Sequence, residues 1–114
     1  MTIRRAYEEP LPTDGARILV DRLWPRGVSK EKADLTDWYK NVAPSAELRE
    51  WYGHVPERFD AFAARYAMEL QQPMQADALV RLKALADTGP LTLITATKHP
   101  EISEAAVLAR LLNA

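Results

Sequence analysis

At 114 residues, 47% hydrophobic and 27% charged, the chain has the size and make-up to close around one core without staples. Fifteen basic and sixteen acidic side chains leave a formal net charge of -1, so no overall field exists to hold a nucleic-acid backbone, and a nucleic-acid partner is not expected. The absence of cysteine excludes disulfides, thiolate catalysis and cysteine-ligated metal centres.

The opening "MTIRRAYEEP" lacks the apolar run of a signal peptide, and no run approaches a membrane span. A cytoplasmic location, no membrane partner and one domain over 1–114 are therefore expected. "TIRRAY" has the alternation of a strand, with Ile3 inward and Arg4 outward. Pro10, Pro12 and the Asp14-Gly15 turn signal break it. "RILVDRLW" follows, a continuous apolar run of the kind a strand covered on both faces shows. Ser29 is placed to cap one helical turn, and Leu35, Trp38 and Val42 belong to a loop or an irregular strand.

Beyond Pro44 the punctuation sharpens. Ser45 caps "AELREWY", Glu47 lies where the helix dipole favours an anion, and Gly53 supplies the left-handed stop. Pro56 opens a second helix with Phe59, Phe62, Tyr66 and Leu70 along one stripe, and Pro73 is expected to end it. "QADALVRLKALAD" forms a further helix through Leu79, Leu82 and Leu85, stopped at Gly89-Pro90. "LTLITAT" is a strand, and a final helix capped by Ser103 turns Leu108, Leu111 and Leu112 inward. This order predicts a small α/β domain with a mostly parallel short sheet, packed helices and Rossmann-like layering. The strands at 18–20 and 91–94 should be neighbours joined by a right-handed helical crossover.

Ligands of open α/β sheets usually bind outside the carboxyl ends of the strands. One such end brings Asp21, Arg22, Trp24 and Arg26, and the other brings Thr95, Thr97, Lys98 and His99. Converging there, Arg22, Arg26 and Lys98 would suit a small phosphate, carboxylate or nucleotide, with Trp24 stacking on it and Arg5 nearby. Asp21 and His54 are the candidates for acid or base, if the domain catalyses anything. The plainer reading makes Asp21 the partner of Arg22, Arg26 or Arg5, and Trp24 a cap on the core. Two distant histidines without a carboxylate at ligand spacing argue for no metal. Four glycines at 15, 27, 53 and 89 make no phosphate loop, and no cofactor is expected. The competing function is a non-catalytic regulatory module that binds protein or nucleic acid through another surface.

Together, "VDRLWPRG", "APS-x-ELR-x-W" and "GH-x-P-x-RF" resemble the YeaO-like bacterial domain family, over nearly the whole chain. The resemblance implies a compact α/β fold and a cytoplasmic bacterial protein, and it implies no established reaction. It marks Arg5, Asp21, Arg22, Trp24, Arg26, His54 and Lys98 among the motif positions. Members are sometimes labelled transcriptional regulators, yet no helix-turn-helix with a basic recognition helix is present. The chain departs from the family near its end. Lys98 of the family's Ala-Lys-Asp stretch remains, followed by His99, while Ile102-Ser103 stands where a His-Asn pair is usual.

Overall fold

Residues Leu91–Thr95 are all buried because they form an inner strand of a parallel sheet, flanked on both sides. In the computed structural model, which describes residues 1–113, the strands are β1 (Thr2–Arg5), β2 (Ala16–Leu19), β3 (Asp37–Trp38) and β4 (Leu91–Thr95). They pair in the order β1-β4-β2-β3, every pair parallel. Leu93 sits in register with Ile3 on one side and Ile18 on the other. The expected adjacency of the two apolar strands is borne out, and Val20 prolongs it by donating to Ile94 O at 3.1 Å.

The helices are α1 (Lys30–Ala33), α2 (Ala46–Tyr52), α3 (Phe59–Glu69), α4 (Pro73–Thr88) and α5 (Glu104–Leu112). Strand alternation divides the core between the two faces of the sheet. Ile18, Val20, Leu91 and Leu93 pack with Tyr52, Phe62, Tyr66, Leu82 and Leu108 in the main cluster. Leu19, Ile94 and Ala6 lie in a separate small cluster, covered by Trp24, Leu35 and Trp38. One face thus carries the main helical layer, and the other carries aromatic loop residues beside the single turn of α1. The α/β class holds, with unequal layers.

The caps read from sequence are in place. Ser29, Ser45 and Ser103 accept from Lys32 N, Leu48 N and Ala105 N, and Gly53 ends α2 at φ 54°. Two expectations need correction. Pro73 does not close a region but opens α4 at its first turn, where its missing N–H is harmless. Leu111 is 39% exposed, because the inward stripe of α5 runs through Ala105, Leu108 and Leu112 at spacings of three and four. Leu35 and Trp38 are half-buried and Val42 fully buried; the uncertain stretch contains the two-residue β3 and a 3-10 turn. Among the described residues, no helix is long and apolar enough to cross a membrane.

Candidate functional site

Beyond β2 the chain leaves the sheet at Asp21, and two indoles fix its path. Trp38 Nε1 donates to Asp21 O at 2.7 Å, and Trp24 Nε1 donates to Val28 O at 2.6 Å. The two rings meet edge to face, 5.5 Å apart at 67°. Gly27, at φ 78°, makes the turn that lets the chain fold back. Trp24 therefore serves the packing, as the plainer reading held, while also facing the cleft described next.

A cavity of about 530 Å³ opens at this end of the sheet. Asp21, Arg22, Trp24, Arg26 and His54 all line it, so five of the sequence candidates come together. Lys98 and Arg5 do not line it. Arg5 Nε instead donates to Thr97 O at 2.9 Å, which ties β1 to the turn after β4. That turn is closed further by His99 N donating to Thr97 Oγ1 at 3.3 Å, and Lys98 is exposed.

Asp21 pairs with none of the arginines. Its Oδ1 accepts from Thr95 Oγ1 at 2.8 Å and its Oδ2 from Ala96 N at 2.8 Å, so it satisfies the end of β4. Thr95 Oγ1 also lies 3.3 Å from Oε1 of Glu104, the first residue of α5. Burial, then the hydrogen bond and the charge of Asp21, push Glu104 well above the usual carboxylate range. The floor of the cleft is thus a carboxyl pair bridged by a hydroxyl.

The cationic groups stand outside that floor. Arg22 Nε and Nη2 donate to Pro44 O at 3.3 and 3.1 Å, pinning the loop to the start of α2. Arg26 and Arg49 are exposed cleft residues, and among the described residues neither side chain makes a hydrogen bond or ion pair. Arg22 likewise has no acidic partner. Glu50 is the remaining carboxylate of the lining. His54 is an exposed non-glycine residue at φ 57°, with its ring 6.0 Å from that of Tyr52.

Sequence reasoning missed Arg49 and Glu104. Arg49 reads as a solvated helix position, and Glu104 as a first-turn acid favoured by the helix dipole. Only the pairing of β2 with β4 and the docking of α5 bring Glu104 to Asp21. Among the described residues, no three His, Asp or Glu side chains group as metal ligands would.

The chain is 51% identical over 111 residues to the uncharacterized protein Rv3073c of Mycobacterium tuberculosis, covering 97% of this chain and 92% of the relative. The uncharacterized protein Mb3100c of Mycobacterium bovis matches with the same identity and coverage. The uncharacterized protein YeaO of Escherichia coli is 41% identical over 107 residues, covering 93% of this chain and 90% of YeaO. No solved structure matches. These relatives agree with the YeaO-like resemblance, and a family model spans residues 1–114: the chain belongs to the inactive DUF488-N3 subclade.

Proposed function

We propose that this chain is a binding domain for a small anionic molecule, held in the cleft at the carboxyl end of the sheet. The observation behind this reading is that Arg22, Arg26 and Arg49 line one cavity and, among the described residues, none of their guanidiniums has an acidic partner. Arginines placed without carboxylate partners keep their donors available for phosphate or carboxylate. Arg22 gives two donors to Pro44 O and still has its Nη1 group and its charge. The anchoring to Pro44 holds that guanidinium in place before any ligand arrives, which lowers the ordering cost of binding.

Membership of the inactive DUF488-N3 subclade favours binding without turnover over catalysis. The Ile102-Ser103 pair, in place of the family's usual His-Asn, points the same way. Titration with inorganic phosphate and with sulfate, followed by calorimetry, tests the reading. Arg26→Ala and Arg49→Ala should each weaken binding by about tenfold, the scale of one charge-assisted hydrogen bond. Undiminished affinity in both variants places the anion elsewhere.

A further inference from the structure

The cleft has two chemically different ends, and this sorts its possible ligands. At the outer end stand the exposed arginines 22, 26 and 49. At the inner end stand the half-buried Asp21 and Glu104, joined through Thr95. The donors at the inner end are already engaged. Thr95 Oγ1 and Ala96 N serve Asp21, Tyr52 Oη donates to Ile102 O at 2.6 Å, and Trp24 Nε1 serves Val28 O. Acceptor capacity remains, since a carboxylate offers about four lone-pair sites and Asp21 uses two for Thr95 and Ala96 and one more for Glu104. A second anion is unwelcome beside that carboxylate, whereas a hydroxyl that donates a hydrogen bond suits it. Trp24 and Tyr52 also line the cavity, their polar atoms being engaged with Val28 O and Ile102 O. The volume, about 530 Å³, lies within the roughly 300–1,000 Å³ of sites for organic ligands.

Resting on the anion-binding reading, we propose that the ligand is a hydroxylated organic phosphate of the sugar-phosphate class. Its phosphate lies among the arginines and a hydroxyl donates to Asp21. Glu104, raised well above the usual carboxylate range by burial and by Asp21, gives up its proton less readily than an ordinary glutamate. Asp21 is then a specificity-determining residue, and the arginines supply affinity common to all small anions.

The experiment compares ribose 5-phosphate, inorganic phosphate, phosphoethanolamine and free ribose by calorimetry on the full chain. Ribose 5-phosphate should bind about tenfold tighter than inorganic phosphate, as one hydrogen bond to a charged group implies. Asp21→Asn should shrink that margin to about threefold or less while leaving phosphate affinity equal or higher, because a negative charge has been removed. Circular dichroism checks that the variant is folded, and the wild-type comparison decides the matter should it not be. Equal affinity for ribose 5-phosphate and inorganic phosphate overturns the hydroxyl requirement and leaves anion binding standing. Tighter binding of phosphoethanolamine overturns it in favour of a cationic partner for Asp21. Failure of all three phosphates to bind removes the anion-binding reading itself, and this one with it.

Discussion

Asp21, just beyond β2, and Glu104, the first residue of α5, share the hydroxyl of Thr95, at 2.8 Å from Asp21 Oδ1 and 3.3 Å from Glu104 Oε1. Glu104 is raised by burial first and by Asp21 second, so the folded state holds its proton to higher pH than the unfolded chain does. The folded state then binds more protons between the ordinary glutamate value, about 4.3, and the raised one. Stability falls as pH rises through that window and stays lower above it. Glu104→Gln, neutral at every pH, should remove this decline and be more stable than wild type on the alkaline side. Urea midpoints measured from about pH 4 to pH 8 give the comparison. Parallel curves for the two proteins would mean that Glu104 is not held as an acid.

Asp14 behaves in the opposite sense. Only 5% exposed, it accepts from Leu11 N at 2.9 Å and from Arg17 Nη1 at 2.5 Å, and Arg17 is itself 4% exposed. The Leu11 bond, outweighing burial and helped by Arg17 and Arg4, holds Asp14 below the usual carboxylate range. Its contribution is present above the unfolded aspartate value, about 3.9, and is lost as pH falls through the lowered folded value. Asp14→Asn leaves Arg17 buried beside a neutral group and should cost about 3–5 kcal/mol near neutrality. Denaturant titrations at neutral and acidic pH should show the gap between wild type and variant closing in acid. A gap that widens in acid contradicts the assignment.

Features set by neighbouring residues were the ones legible in the sequence. Ser29, Ser45, Ser103 and Gly53 declare helix ends through bonds that span only a few residues. The apolar runs of β2 and β4 declare strands that need cover on both faces. Pro73 was expected to end a region because proline stops a helix as readily as it starts one, and only Leu70, Gln71 and Gln72 separate α3 from α4. β3 has two residues, too few for alternation to register. In the site, Asp21, Arg22, Trp24 and Arg26 were visible because one loop carries them all. Arg49 and Glu104 arrive from α2 and α5, and no local pattern distinguishes them from surface residues. Lys98 was expected at the cleft from its place after β4, and it is the turn through Thr97 that leaves it outside.

Ser45 joins the capping of α2 to the end of α3. Its hydroxyl accepts from Leu48 N at 3.2 Å and donates to Glu69 Oε2 at 2.6 Å, while its own N–H donates to Glu69 Oε1 at 2.8 Å. Ser45→Ala removes the cap and one charge-assisted bond but keeps the backbone contact, and should cost about 1–2 kcal/mol. Because α2 carries Arg49, the same change should also weaken phosphate binding by a few-fold if that arginine contributes. Thermal denaturation and a phosphate titration on one preparation separate the two effects. A stability equal to that of wild type would show that water replaces the hydroxyl without loss.

Gly15 and Gly27 both have positive φ, at 67° and 78°, but differ in what surrounds them. A Cβ on Gly15 would lie 2.2 Å from Pro90 O, the atom that accepts from Ala16 N at 3.0 Å where β2 begins to pair with β4. The obstruction is backbone and cannot rotate away, so the sheet must open at its first rung. A Cβ on Gly27 would meet nothing within 4 Å and costs only the left-handed conformation. Gly27→Ala should therefore lose about 1–2 kcal/mol. Gly15→Ala adds overpacking of about 1–3 kcal/mol to the strain of φ 67° with ψ -135°, which lies outside the left-handed helical well. Denaturant midpoints of the two variants, measured side by side, make each the control for the other. If Gly15→Ala proves no less stable than Gly27→Ala, the approach of Pro90 to Gly15 does not constrain the start of the sheet.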